Sequence, residues 1–296
     1  TAESAKFKEA PMLAKLVEAG TLPPVDERLP MNPCVLDVAE GIGNYGGSIR
    51  RGFKGVSDGW GPKKHVDRTL TWFTKDLVMV PHLLESWEVS ADSKTWTLHL
   101  RKGLKYNDGV LVTSADFKWF YDHYASHPDL QPGLWTKLTT VDENGNKVMC
   151  EAEFPDDYTV VYKFAHPRPL HMYDALRELH GFSLPAHYLS QFHIDTTDDS
   201  EGLEQATADA GFNAWNEYFE DRRLFHLNPD IPWPTPWIAK NTLSEELFMM
   251  ERNPYYFGVD PEGNQLPYID TVTHRLFESR DVFDLWIVNG EIDVHN

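Results

Sequence analysis

Hydrophobic and polar positions alternate most clearly between residues 85 and 101. Trp87 and Val89 precede a polar turn, Ser90-Ala91-Asp92-Ser93-Lys94, and Trp96, Leu98 and Leu100 follow it. Thr95, Thr97, His99 and Arg101 point the other way. Period two on both sides of a short turn predicts a β-hairpin. Gly103 breaks the pattern, Asn107-Asp108-Gly109 predicts a tight turn, and Val110-Leu111-Val112 reads as a short strand. Thr113 then stands three residues before Asp116, the signature of a capping box. The helix it opens places Phe117, Phe120, Tyr121 and Tyr124 on one stripe and ends before Pro128.

Elsewhere the pattern changes period several times. Leu13, Leu16 and Val17 predict a helix over 6–19, closed by Gly20, and the proline-broken segment after it reads as an extended arm over the surface. Ser48 to Phe53 reads as a strand, followed by a glycine-rich loop from Lys54 to Pro62. Those glycines lack G-x-G-x-x-G spacing and precede no phosphate-binding helix, which argues against a nucleotide site. Residues 141–164 predict strands joined by Asn-Gly and Pro-Asp-Asp turns. Pro169 to His180 predicts an amphipathic helix through Leu170, Tyr173, Leu176 and Leu179. One or two helices follow over 201–225, burying Ala206, Phe212, Trp215, Tyr218 and Phe219, with a break at Gly211. Asn228 to Ala239 holds four prolines and two tryptophans, which no helix or central strand tolerates, so the segment is extended and stiff. A last helix is expected over 281–288.

Composition narrows the function classes. The 296 residues allow one large domain or two ordinary ones. Forty-six acids against 27 bases give a net charge of −19, which argues against nucleic acid or an anionic membrane as partner. No apolar run approaches the ~20 residues of a membrane helix, so no membrane insertion is expected in this chain. Cys34 and Cys150 are too few for a disulfide framework; one bridge is possible, but two unrelated small residues are preferred. No GxSxG, HExxH, SxxK or P-loop occurs, which leaves catalysis without a motif. Asp142, Asn144, Asn146 and Glu153 imitate a calcium loop, yet Lys147 stands where the turn needs glycine. His180, His187 and His193 are spaced by seven and six, which gives zinc little support. Ten tryptophans suit either a core or a cleft for peptides or sugars.

The ordered run Glu85-Ser86-Trp87, Trp96-Thr97-Leu98-His99-Leu100-Arg101, Gly103, Asp108-Gly109 and Thr113-x-x-Asp116-Phe117 closely resembles the family 5 solute-binding proteins of ABC importers. Arg252-Asn253-Pro254-x-Tyr256, Leu266-Pro267-Tyr268-Ile269-Asp270 and Gly290-Glu291-Ile292-Asp293 extend the resemblance, the last as a turn and strand. It implies an α/β (mixed α+β) fold: the first lobe plus an inserted subdomain of a two-lobed periplasmic-binding-protein-like protein, with the second lobe missing. The implied divisions are an N-terminal helix and arm over 1–45, first-lobe parts over 46–67 and 186–296, and the insert over 68–185. On this resemblance the chain is an N-terminal fragment covering about half of a family member. The implied function is binding without catalysis: a monomeric extracytoplasmic receptor, secreted through a signal sequence absent from this chain, that encloses a solute and presents it to the transmembrane subunits of an ABC permease. No cofactor and no bound metal are implied. Peptide is the family's default cargo. Oligosaccharide is the alternative, motivated by Trp60, Trp72, Trp233 and Trp237 as stacking platforms; a metal complex ranks below it, and a hydrolase is the distant alternative. The candidate ligand-binding residues are Ser57, Asp58, Gly59 and Trp60, in the loop that the resemblance brings to the cleft, with Trp233 and Trp237. This chain departs there from the Gly-Thr-Gly-Pro-like turn of many relatives. The hairpin side chains Trp87 and Trp96, with Phe117, are expected to be core.

Overall fold

The computed structural model describes residues 6–38, 40–66, 69–176 and 182–295. The chain divides into two compact units. The first comprises Thr1–Asp67, Lys105–Val110 and Arg223–Asn296, the second Arg68–Leu104 and Leu111–Arg222. The second unit runs on to Arg222; the insert that the resemblance implies spans 68–185.

The first unit is built on a four-stranded sheet, in the order Trp237–Ala239, Leu247–Arg252, Thr271–Leu276, Ser48–Phe53. The first two pairings are antiparallel, and the last is parallel, running in register from Thr271 opposite Ser48 to Leu276 opposite Phe53. Strand alternation puts Arg51, Phe53, Val272, His274, Phe248, Met250, Ala239 and Trp237 on one face. All of these but Trp237 are buried. The helix Arg280–Val288, capped by the Ser279 hydroxyl, packs on the opposite face. Phe283 lies so close to Gly52 that a Cβ there would stand 2.3 Å from its ring. The Arg275 guanidinium lies 3.9 Å from the centre of the Trp286 ring. Residues 290–294, expected to include a strand, form none, although the Asp293 N–H donates to the Arg50 carbonyl at 2.9 Å.

The N-terminal arm is sewn into this unit more firmly than an arm over the surface. Cys34–Val35 pairs in parallel with Gly258–Val259. The fully buried Arg28 donates to the carbonyls of Pro23 and Pro254, to the Gln265 side chain at 3.1 Å and to Glu9 at 2.5 Å. The helix of the arm is shorter than predicted, Pro11–Glu18, and buries Leu13 while Leu16 is exposed.

The second unit carries an antiparallel four-stranded sheet, ordered Leu84–Val89, Thr95–Leu100, Thr159–Lys163, Glu151–Asp156. The predicted hairpin forms its first two strands, with a bulge at Glu85. Trp96, Leu98 and Leu100 are buried. Trp87, opposite Leu98, is only half-buried and Val89 is exposed, so the expectation of a core Trp87 is corrected: its strand is the sheet edge, with a neighbour on one side. The capping box forms as read, with the Thr113 and Asp116 side chains each accepting a backbone N–H. Its helix, Ser114–Trp119, widens into a π-helical stretch over Phe120–Ala125, and Phe117, Phe120 and Tyr124 are buried. Val110 to Val112 is extended but belongs to no strand.

Two helical faces differ from expectation. Among the described side chains of the helix His171–Leu176, His171 and Met172 are buried and Tyr173 is exposed, as is Leu170 just before it. His171 packs its ring among Trp96, Tyr162, Phe164 and Phe182, and that aromatic cage sets the face. Leu179 and His180 of the predicted helix, and the side chain of Leu176, lie outside the described residues. The helices Ser200–Asp209 and Trp215–Arg222 bury Leu203, Thr207 and Phe219, while Ala206, Phe212, Trp215 and Tyr218 are half-buried. Gly211, at φ +82°, makes the break between them.

Candidate functional site

The loop after Phe53 first closes on itself. The Asp58 carboxylate accepts the Lys54 N–H at 3.0 Å, and the Asp58 N–H donates to the Gly55 carbonyl at 2.8 Å. Ser57 is exposed at its tip. A single helical turn, Trp60–Lys63, follows and lies against buried histidines. A Cβ on Gly59 would stand 2.8 Å from His226 Nε2, and one on Gly61 would stand 3.4 Å from the His274 ring. Bare backbone at Gly59 is what lets the loop settle there, whereas at Gly61 the distance is an ordinary van der Waals contact. Trp60 is 67% exposed, with the Lys63 ammonium 5.7 Å from the centre of its ring.

Beyond the turn, His65 stands at the middle of a polar cluster. Its Nε2 lies 3.0 Å from an Arg51 guanidinium N–H, which must donate, so His65 is neutral with its proton on Nδ1. Its ring meets Trp237 edge-on at 5.8 Å and His274 at 5.6 Å. Burial, then the charges of Arg51 and Lys64, push the His65 pKa down to about 4. Burial, then His65 and Arg51, push that of His274 down to about 3. For His226, burial and then Lys63 push it to about 4.

The predicted site residues therefore separate. The loop turn meets His226 at Gly59 and His274 at Gly61, while the half-buried Trp237 meets His65, which itself lies beside His274. Trp237 is anchored by its indole N–H, which donates to the Ile269 carbonyl at 3.1 Å. Trp233 is buried, its backbone N–H donating to Asn107 Oδ1 at 2.5 Å. The Asn253 amide holds the Trp233 and Thr235 carbonyls at 3.3 and 2.8 Å, locking the proline-rich segment. Arg51, His65, His226 and His274 escaped the sequence reading. A signal was present: residues 48–66 hold five basic side chains and one acid in a chain of net charge −19.

Two clusters in the second unit resemble metal sites, and in each a donor group is already engaged by hydrogen bonds or an ion pair. His123, His193 and Asp195 bring ligand atoms within 4.8 Å of one another. His193 Nε2–H donates to the His123 carbonyl at 2.8 Å, and its Nδ1 accepts the Asp195 N–H at 3.2 Å, so both nitrogens are in use. Asp142 is filled by the N–H groups of Asn144 and Asn146 and by the Asn146 amide, while Glu153 pairs with Lys163. Cys34 and Cys150 are buried thiols, one in each unit. Burial pushes the Cys150 thiol up to about 12, which makes it inert.

Known proteins align along nearly the whole chain. The periplasmic alpha-galactoside-binding protein of Rhizobium meliloti is 27% identical over 303 residues, which is 95% of this chain and 40% of that protein. A structure named oligopeptide-binding protein OppA superimposes with a TM-score of 0.89 at 37% identity, over 98% of this chain and 44% of that one. The periplasmic binding protein MelB of Agrobacterium fabrum, solved with stachyose, gives 0.70 at 26% identity over 97% of this chain and 44% of that one. The chain spans less than half the length of each of these relatives. The sequence profile of the bacterial extracellular solute-binding proteins, family 5, matches residues 78–296, and the chain belongs to that family.

Proposed function

We propose that the protein carrying this chain is the solute-binding component of an ABC importer, which captures an oligopeptide-like solute outside the cytoplasm and delivers it to a membrane permease. The observation that carries this reading is the 37% identity, over 98% of the chain, to a structure named as an oligopeptide-binding protein. Physical support comes from the strand Trp237–Ala239, an edge of the first unit's sheet. An extended peptide laid on such an edge pairs its backbone with the strand while its side chains reach hydrated pockets. Ser57, Asp58, Gly59, Trp60 and Trp237 would face the solute, and Trp233 would hold the segment in place. The work needs no catalysis: a ligand that binds a closed form better than an open one shifts the population toward closure.

A second reading, an oligosaccharide cargo, is favoured by one feature, the exposed ring of Trp60. Flat aromatic faces suit sugar rings, and two of the relatives are named for an alpha-galactoside or were solved with stachyose. Calorimetric titration of the whole protein with tri- and tetrapeptides, and separately with stachyose, decides between them. Micromolar peptide binding supports the peptide reading. Binding of stachyose alone overturns it in favour of the sugar, and saturation by neither overturns both.

A further inference from the structure

Three of the five residues 232–236 are prolines, so only Trp233 and Thr235 carry backbone N–H groups there. Such a stretch cannot join a ladder, yet all five residues are buried, so side chains from elsewhere must hold it. Asn253, just past the strand Leu247–Arg252, holds the carbonyl side. Its amide donates to the Trp233 and Thr235 carbonyls, and its backbone N–H to that of Pro236 at 2.9 Å. The N–H side is held by Asn107, whose Oδ1 accepts the Trp233 N–H. Asn107 comes from a distant part of the chain. The segment Lys105–Val110, flanked in sequence on both sides by the second unit, belongs to the first. It is a closed turn, with the Tyr106 N–H donating to the Val110 carbonyl at 2.8 Å and the Gly109 N–H to the Tyr106 carbonyl at 3.0 Å. Gly109 stands at φ +89°, and Lys105 ties the base of the turn to the Glu27 carbonyl. Asn107 is thus presented by a fixed backbone.

We propose that Asn107 is a positioning residue for solute binding, a proposal that rests on the solute-binding reading above. Immediately after Pro236 the chain enters the edge strand Trp237–Ala239, where Trp237 pairs with Arg252. Prolines have a fixed φ, so a shift at Trp233 is passed along the segment and not absorbed by free rotation. Losing the Oδ1 acceptor leaves the N–H of the buried Trp233 unpaired, and the segment moves to satisfy it. The Trp237 ring and the outer edge of its strand move with it. The solute then loses a ring contact and a backbone partner together. By this route the second unit acquires a part in binding, because the stretch of chain it contributes to the first sets the edge that the solute meets.

Calorimetry on the whole protein, with whichever of the tetrapeptides or stachyose binds it, tests the assignment alongside thermal melts. Asn107→Ala should weaken binding about tenfold, as for a hydrogen bond lost behind a binding surface. Asn107→Asp keeps the size and the accepting oxygen, and should bind within about twofold of the unsubstituted protein. Asn107→Leu keeps the volume without the acceptor and gives the same readout should Asn107→Ala fail to fold. A merely structural residue lowers the melting midpoint and leaves the affinity of the folded protein unchanged. Affinity within about twofold of the unsubstituted protein in Asn107→Ala or Asn107→Leu, whatever the midpoint, therefore overturns the positioning role alone. So does a loss that Asn107→Asp fails to restore. Saturation of the unsubstituted protein by neither solute overturns the solute reading, and this assignment with it, before any variant is compared.

Discussion

Trp60 and Trp237 are anchored differently, and substitution should separate them. Trp60 is mostly solvent-exposed and makes its ring contact with Lys63. Trp60→Ala should therefore weaken solute binding about tenfold and leave the melting midpoint nearly unchanged, as for exposed side chains generally. Trp237→Ala also removes the bond to the Ile269 carbonyl from an edge strand, so affinity and midpoint should fall together. Parallel calorimetry and thermal melts check both, and a stable Trp237→Ala protein with intact binding would place that ring outside the site. Arg28 is a purely structural counterpart. Its guanidinium ties Glu9, Gln265 and two carbonyls together inside the first unit. Arg28→Ala removes the cation from the half-buried Glu9 and the donors from two carbonyls and Gln265, and should cost about 3 kcal/mol in urea unfolding, typical of a broken buried ion pair.

At the scale of elements, the capping box and the hairpin offer graded tests. Thr113→Ala deletes a cap accepted from the Ala115 N–H and should lose about 1 kcal/mol. Trp96→Ala in the buried strand should cost about 3–5 kcal/mol, and Trp87→Ala on the edge strand clearly less. These elements were legible because their signals are local: period two on both sides of a turn, and a threonine three residues before an acid. The face of the His171–Leu176 helix was not legible. Leu170 and Tyr173 look like the apolar stripe, but a ring cage from distant strands draws in His171 instead. The candidate site divides in the same way. Its irregular loop could be read directly, whereas Arg51, His65 and His274 meet only through the parallel pairing and the fold of that loop, and His226 meets the loop only at Gly59.

At the scale of the whole molecule, neutral buried histidines make stability depend on pH. Burial lowers the pKa of His65, His193 and His226 to about 4 and of His171 and His274 to about 3. The unfolded chain takes up protons on these groups near 6.5, before the folded chain does, so their contribution is complete above that value and is lost as pH falls toward 4. Thermal melts should be flat from pH 8 to 7 and then drop, by at least about 5 °C between pH 6.5 and 4.5. A midpoint that is constant across that window would mean the histidines are already paired or charged in the fold.

The parallel pairing of Ser48–Phe53 with Thr271–Leu276 also bears on synthesis. The early strand leaves the ribosome more than two hundred residues before its partner exists, while every residue of the second unit is made by Arg222. Domains generally fold as units during translation, so the insert should be native while the flanking polypeptide still waits. Ribosome-bound chains arrested near residue 260 should therefore yield a protease-resistant core spanning roughly 69–222, with the earlier segment still cleavable. For that interval Ser48–Phe53 is an unpaired, cationic stretch open to chaperones, which makes it the part of the chain where a nascent-state defect would begin.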